Sequence, residues 1–290
     1  MKKTAVALGT FDGVHLGHQR IIKDTASYAK RHGLRSIAIT FDPHPQQFIV
    51  PERGLKLLTT IAERKELLKQ FGISEVKVLK FTSALQKLSR EGFIEKYLAA
   101  KLKADTVFVG FDFAFGHERS GDVKQLKKLG KKYGIKVVVV RPVKTKHYAI
   151  KSSLIRNLIS HGDFNHAISL LKHPYQLTGK VVHGAGRGKS LGFPTANISI
   201  DKHKLIPQSG VYIAKAGKKK CVVNIGSRPT FGASDYAIEA HIPGIKNNLY
   251  GKILKVSLYK KIRDEIQFAD VCDLAKQIRK DIAISQNTVL

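Results

Sequence analysis

The sequence is short of cysteine, of acidic residues and of long apolar runs, and each shortage excludes a class of protein. Its two cysteines, Cys221 and Cys272, are too few for a disulfide framework or a zinc cluster. No apolar run approaches the roughly 18 residues that a membrane-spanning helix requires. The first residues carry charge but lack the apolar region and cleavage site of a signal peptide. We therefore expect a cytoplasmic protein.

Acidic residues are outnumbered, with 22 Asp and Glu against 51 Lys and Arg, and the formal net charge is +29. Such a charge attracts polyanions and steers small anionic substrates. The lysines are spread over helical and loop segments, and aromatic residues do not alternate with them as on a surface that stacks single-stranded bases. The pattern favours small phosphorylated molecules over nucleic acid as binding partners.

The first part of the chain alternates short apolar runs with helical patterns. Strands are predicted near residues 6–11, 36–41, 76–81, 106–111 and 136–141. Helices are predicted near residues 19–31, 60–71, 90–103 and 122–133, several of them followed by glycine, as is typical of a helix end. This alternation predicts an α/β domain, with a parallel sheet covered by helices on both faces.

The first predicted strand runs into a glycine-rich stretch, residues 9–18, which reads Gly-Thr-Phe-Asp-Gly-Val-His-Leu-Gly-His. A strand, a glycine-rich turn and a helix start form a phosphate site, because backbone N–H groups and the helix dipole point at the anion. His15 and His18 can converge on the same phosphates and stabilise charge that develops in a transition state. Taken alone, such a turn can also be purely structural. The candidate binding residues of this stretch are Gly9, Phe11, Asp12, Gly13 and Gly17.

Two further strand ends carry candidate binding residues. The second predicted strand runs into a loop in which Pro43 and Pro45 could present an apolar wall to a ring system or simply form a rigid turn. The fourth ends in residues 110–116, where Asp112 lies among three phenylalanines that could equally belong to the core. In open α/β sheets, ligands bind beyond the carboxyl ends of the strands, and both loops lie there.

After the fifth predicted strand, Ser152 and Ser153 open another helix. Serines at a helix start are ordinarily caps. Arg156, one turn inside this helix, can reach a phosphate held at the same N-terminus, and its planar guanidinium suits that partner.

The character of the chain changes after residue 172. Short alternating strands with turn signals fill residues 177 to about 260, and a last helix is predicted from residue 270 to about 285. These features predict a small antiparallel β-barrel or sandwich with a terminal helix. We place the two domains at residues 1–172 and 173–290.

The densest motif of the second domain spans residues 183–197. A P-loop is excluded, because its spacing requires glycine where the chain has His183. The loop containing Gly186 and Lys189 can still bind a diphosphate through its backbone N–H groups. Thr195 and Asn197 lie two apart in an extended segment and face the same way, so their neutral oxygens could hold Mg²⁺ beside substrate phosphates.

These stretches, in this order, resemble the bacterial bifunctional FAD synthetases, also called riboflavin kinase/FMN adenylyltransferases. Residues 9–18 resemble the GxFDGxHxGH form of the HxGH nucleotidylyltransferases, which have a Rossmann-like fold. Residues 150–156 resemble the ISSTxIR motif of these enzymes, with Lys151 in place of the usual first serine. Residues 192–197, Gly-Phe-Pro-Thr-Ala-Asn, resemble the riboflavin kinase signature. The KMSKS sequence of the class I synthetase alternative is not present.

The resemblance implies two ATP-dependent reactions: phosphorylation of riboflavin to FMN, and adenylylation of FMN to FAD with release of pyrophosphate. It implies His15, His18 and Arg156 as the catalytic residues of adenylyl transfer. It also implies Glu239 as the catalytic base of the kinase, and it places Arg263 near the isoalloxazine end of the flavin. Mg²⁺ near Thr195 and Asn197 follows from the same resemblance.

One segment departs from the family. Residues 243–248 read Pro-Gly-Ile-Lys-Asn-Asn, where the family has an acidic and aromatic stretch before Leu-Tyr-Gly. A monofunctional FMN adenylyltransferase with a degenerate kinase domain therefore stays open. The net charge leaves open a basic, flavin-sensing nucleic-acid-binding protein. We expect a monomer or weak homo-oligomer that acts on riboflavin, FMN and ATP, without nucleic acid or membrane as a partner.

Overall fold

The computed structural model describes residues 3–117, 120–146, 148–184, 188, 191–227, 236–245 and 248–290. The chain forms two compact units, Met1–Ser152 and Ser153–Leu290. Residues 153–172, which the sequence analysis groups with the first domain, therefore belong structurally to the second unit.

The first unit alternates strands and helices as the sequence predicts. Its elements are β1 (Thr4–Leu8), α1 (Leu16–Arg31), β2 (Arg35–Asp42), α2 (Pro45–Ile49), α3 (Ile61–Gln70), β3 (Glu75–Lys80), α4 (Ser83–Gln86), α5 (Arg90–Phe93), β4 (Ala104–Gly110), α6 (Val123–Lys132) and β5 (Lys136–Val140). A 3₁₀ turn (Pro51–Arg53) follows α2, and a π-helical segment (Ile94–Lys101) continues α5.

All five strands pair in parallel in the order β3-β2-β1-β4-β5. The central strand β1 is buried on both sides, since Val6 and Leu8 belong to one hydrophobic cluster and Ala5 and Ala7 to the other. The strand order reverses between β1 and β4, which is where such sheets bind ligands. The expected α/β fold is confirmed, and its ligand edge lies at the carboxyl end of β1.

The second unit begins with two helices and continues as a barrel. Its elements are α7 (Ser152–Ser160), α8 (Phe164–Leu171), β6 (Tyr175–Val182), β7 (Thr195–Ile200), β8 (Gly210–Ala216), β9 (Lys219–Ser227), β10 (Tyr236–His241), β11 (Ile253–Arg263) and α9 (Val271–Asn287). The strands close in the order β10-β7-β6-β11-β8-β9, with antiparallel pairing throughout. Of the barrel and the sandwich that the strand pattern allows, the structure confirms the expected barrel.

Two helices pack on the outside of the barrel. Asn165 of α8 exchanges side-chain hydrogen bonds with the backbone of Lys261 in β11. Ser285 of α9 donates to the carbonyl of Cys221 in β9. The contacts of Asn165 explain why α8 belongs with the barrel although this helix precedes the barrel strands in sequence. Across both units, the described helices include none that is long and apolar enough to span a membrane.

Candidate active sites

The glycine-rich stretch forms a tight loop between β1 and α1. The predicted strand over residues 6–11 ends at Leu8, because the backbone then turns sharply. Phe11 and Val14 adopt positive φ angles of 52° and 38°, and both side chains are buried. A non-glycine residue in this region is strained, so the surrounding structure must hold the loop in place.

The first histidine of the loop caps α1. The N–H groups of Gly17 and His18 donate to Nδ1 of His15, at 3.1 and 3.4 Å. Because Nδ1 accepts these bonds, the proton of the neutral imidazole lies on Nε2, which is therefore a donor. The rings of His15 and His18 stack with centroids 3.7 Å apart, and Phe11 contacts the edge of His18. The two histidines thus lie side by side at a helix N-terminus.

Three glycines of the loop lie close to neighbouring side chains, and Gly13 is the most tightly enclosed. A methyl group at Gly13 would lie 2.5 Å from Cδ1 of Leu58, and its φ of +80° disfavours any other residue. A methyl group at Gly17 would lie about 3.1 Å from the His15 ring. Gly9 meets the Phe11 ring in the same way, at 3.2 Å. Glycine at these positions lets the loop backbone pack closely against Leu58, His15 and Phe11.

Within this loop, the side chain of Asp12 contacts residues 58 and 59. This side chain is fully buried and accepts hydrogen bonds from the backbone N–H groups of Leu58 and Thr59, each at 3.0 Å. It also pairs with Arg64 of α3, which is equally buried. Sequence reasoning missed Thr59 and Arg64. The available signal was that Arg64 stands three and four residues before Leu67 and Leu68, on the apolar face of its helix.

The other predicted residues of the first unit lie at the same edge of the sheet. β2 ends at Asp42, a cis peptide bond joins Asp42 to Pro43, and His44 caps α2 at Pro45. Asp112 follows β4, and its carboxylate lies 3.4 Å from the ammonium of Lys151. The departure from the family motif at Lys151 therefore supplies a partner for a predicted binding residue.

Ser152 connects directly to the glycine-rich loop. Its hydroxyl donates to the carbonyl of Asp12 at 2.8 Å. In the second unit, Ser153 is exposed and Arg156 is half-buried on the same helix.

In the barrel, Glu239 stands between two asparagines. Antiparallel pairing places Glu239 of β10 opposite Asn197 of β7 and, on its other side, opposite Asn224 of β9. Side chains at directly opposed positions share a face, with Cβ atoms about 5 Å apart. Sequence reasoning named Glu239 and Asn197 but not Asn224. Asn224 begins an Asn-Ile-Gly stretch, residues 224–226, and this stretch was its only signal in the sequence.

The loop before β7 lies close to Asn197 and Thr195. A methyl group at Gly184 would lie 2.1 Å from Nδ2 of Asn197, and one at Gly188 would lie 3.3 Å from Oγ1 of Thr195. Thr195 pairs with His241 in register, two positions along from the pair of Glu239 and Asn197. Gly186 and Lys189, the predicted diphosphate-binding residues, lie outside the described part of the chain.

The neutral oxygens of Thr195 and Asn197, with a carboxylate beside them, suit Mg²⁺ when substrate phosphates supply further ligands. Among the described residues, His, Cys, Asp and Glu side chains form no group of three or more that could hold a metal ion by themselves.

Arg263 forms an ion pair with the terminal helix. Its guanidinium donates to both carboxylate oxygens of Asp281 in α9, with a shortest distance of 2.7 Å, and Asp281 is buried. The same guanidinium donates to the backbone carbonyl of Asp264. In this structure Arg263 thus joins the end of β11 to the terminal helix.

Comparisons with known proteins match each of the two regions of the chain to a family. Residues 1–154 match the family model described as FAD synthetase, and residues 171–289 match the one described as riboflavin kinase. A bifunctional riboflavin kinase/FMN adenylyltransferase from Buchnera aphidicola is 36% identical, covering 97% of this chain and 92% of the relative. One from Bacillus subtilis is 35% identical, covering 96% and 90%.

A solved structure supports the same fold over the whole chain. A crystal structure from Streptococcus pneumoniae, titled as a macrolide-efflux protein, has a TM-score of 0.87 and 28% identity, covering 100% of this chain and 96% of that one. The domain matches and the near-full-length relatives together decide the family. The chain belongs to the bifunctional riboflavin kinase/FMN adenylyltransferases.

Proposed function

We propose that this chain carries out the two reactions of its family at two centres, FMN adenylylation within residues 1–172 and riboflavin phosphorylation within residues 173–290. The proposal rests on one observation, which is that each region contains its own group of candidate reactive side chains. In the first, His15 and His18 stack at a helix N-terminus on the ligand edge of a parallel sheet. In the second, Glu239 lies in register between two asparagines.

In adenylyl transfer, a phosphate oxygen of FMN attacks the α-phosphorus of ATP, and the bond to pyrophosphate breaks. The FMN phosphate is already anionic, so no strong base is needed. Catalysis consists of positioning and of stabilising charge on the phosphates. The Nε2–H of His15 and the imidazole of His18 donate to these phosphates. Ser152, Ser153 and Arg156 serve the ATP phosphates, as the family motif implies.

The other loops of the first region supply candidate residues that bind the ring systems of the substrates. We assign Pro43 and Pro45 to the flavin and Asp112 to the nucleotide. The position of Asp112 beyond β4, at the ligand edge of the sheet, supports this assignment.

In the kinase reaction, the 5′-hydroxyl of riboflavin attacks the γ-phosphorus of ATP, and ADP leaves. The hydroxyl is neutral, so a carboxylate must orient it and accept its proton, and we assign this role to Glu239. Thr195 and Asn197 would hold Mg²⁺, which neutralises charge on the transferred phosphoryl group. Gly186 and Lys189 are assigned to the ATP phosphates. Arg263 serves the flavin end by holding α9.

We further place the protein in the cytoplasm, as a monomer or weak homo-oligomer. Cys221 and Cys272 are both free thiols, which fits a reducing compartment.

Chromatography of the flavins formed from ATP and Mg²⁺ tests both assignments, with riboflavin or FMN as the starting flavin. Wild type should form FMN and FAD from riboflavin. His18→Ala should lose at least about 100-fold in FAD formation and keep FMN formation, because its histidine acts only on the adenylyl transition state. Glu239→Gln should show the reverse, with FAD formed from FMN but not from riboflavin.

Either variant can contradict the two-centre assignment. If one substitution abolished both activities while the protein stayed folded, the reactions would share a centre. If wild type formed FAD from FMN and nothing from riboflavin, the chain would be a monofunctional FMN adenylyltransferase. The altered segment 243–248 motivates that second candidate.

A further inference from the structure

A charged network lies beneath the phosphate loop of the first unit. Arg64 of α3 has no exposed surface, and its guanidinium donates at least four hydrogen bonds. Nε donates to Oγ1 of Thr59 at 3.2 Å, and one terminal nitrogen donates to Oγ1 of Thr40 at 3.2 Å. The other terminal nitrogen donates to the carboxylate of Asp12 at 3.3 Å and to the carbonyl of Thr59 at 3.1 Å. The planar fork of arginine thus contacts three elements at once.

Each partner of Arg64 in turn holds the loop backbone. The hydroxyl of Thr40 donates to the carbonyl of Thr10 at 2.8 Å. The N–H of Gly13 donates to Oγ1 of Thr59 at 3.1 Å, and that hydroxyl also bonds Asp12. The network therefore fixes positions 10, 12 and 13, immediately before His15.

Stability alone does not require a charged network at this position. A buried ion pair often contributes no more to stability than a well-packed apolar pair, because both charges lose their hydration. The loop, however, holds Phe11 and Val14 at positive φ, a conformation that persists only where its surroundings enforce it. Hydrogen bonds at three positions of the loop enforce it more specifically than apolar packing can.

We propose that Arg64 is a positioning residue for adenylyl transfer, which through Asp12, Thr40 and Thr59 sets the phosphate loop in its reactive conformation. The proposal rests on the assignment of adenylyl transfer to this loop. Arg64 touches no substrate. It acts through the loop amides and through the orientation of His15.

The test compares Arg64→Met, which fills the space without charge, with Arg64→Lys, which restores the charge to Asp12 without the fork. kcat and KM for ATP and FMN are measured for adenylyl transfer, and riboflavin kinase activity in the same sample serves as the internal reference. Arg64→Met should lower kcat by about 100-fold with KM changed only a few-fold, since misplacing reacting groups affects the transition state most. Arg64→Lys should recover about 10-fold of that loss.

Leu126→Ala provides the matched control. Leu126 is fully buried in the same unit, in the hydrophobic cluster on the opposite side of the sheet from Phe11. This variant should destabilise the unit without changing kcat for adenylyl transfer by the folded protein. Thr59→Val, nearly isosteric, removes only the shared hydroxyl, and its kcat should fall about 10-fold.

If Arg64→Met fails to fold, Thr59→Val and Arg64→Lys carry the test. The proposal is overturned if the folded variants keep wild-type kcat, or if Leu126→Ala lowers kcat as strongly at equal loss of stability. His18→Ala separates this failure from that of the proposed function. If His18→Ala abolishes FAD formation while the Arg64 and Thr59 variants do not, only the positioning role is wrong. If His18→Ala keeps FAD formation, the assignment of the loop itself is wrong.

Discussion

Gly184→Ala should inactivate the riboflavin kinase without affecting adenylyl transfer. The added methyl carbon would lie 2.1 Å from Nδ2 and 2.3 Å from Cγ of Asn197. Ordinary contact requires about 3.5 Å, so the asparagine must shift by more than about 1 Å. Asn197 is only 7% exposed, so it has little room to move away. Because Asn197 lies opposite Glu239, the shift displaces groups on which the kinase centre depends.

The expected size of this effect follows from that displacement. A misplacement of about 1 Å can cost a factor of about 100 in rate, so kcat of the kinase should fall at least that far. Overpacking should also lower the free energy of unfolding by about 1–3 kcal/mol. FAD formation from added FMN should be unchanged, and it measures the amount of intact enzyme in the same sample.

Gly217→Ala is the control for lost stability alone. Gly217 lies between β8 and β9 with a φ of +59° and no atom within 4 Å of the added methyl group, so the substitution only strains the backbone. It should cost about 1–2 kcal/mol in stability and leave the kinase kcat unchanged. If Gly184→Ala kept its kinase kcat within about threefold of wild type, the position of Asn197 would not govern this centre and the reasoning would fail.

Two further predictions concern the second unit. Burial raises the pKa of the Cys221 thiol to about 12, so it stays protonated and unreactive at neutral pH, whereas Cys272 is exposed. A maleimide should therefore label one thiol per native chain and two per unfolded chain, as counted by mass spectrometry, and rapid native labelling of both would contradict the burial. Asp281→Asn should lower the free energy of unfolding by about 3 kcal/mol, because it leaves the Arg263 guanidinium without its carboxylate in a mostly buried setting. Thermal unfolding measures this loss, and an unchanged midpoint would show that the pair does not anchor α9.

Much of the fold could be predicted from local patterns. The alternation of apolar runs and helical patterns predicts the parallel sheet, because each strand must be buried on both faces and each helix on one. Short alternating strands predict a closed or stacked antiparallel sheet but do not decide between them. Closure depends on β10 pairing with both β7 and β9, which are separated in sequence by β8. No local pattern encodes that choice.

The reactive groups were also visible locally. His15, Gly17 and His18 contact one another because they are near neighbours at a helix start, so their spacing alone predicts that they lie together. Thr195 and Asn197 share a face because they are two apart in a strand.

The groups that hold those residues in place depend on tertiary structure. Asp12 and Arg64 are 52 residues apart, and their pairing exists only because α3 packs beneath the first loop. Asn224 meets Glu239 through the register of β9 and β10, a matter of strand pairing. Chemistry that requires neighbours along the chain can be read from the sequence. Support that requires neighbours in space depends on how distant segments pack, and local patterns in a single sequence do not determine which residues will meet.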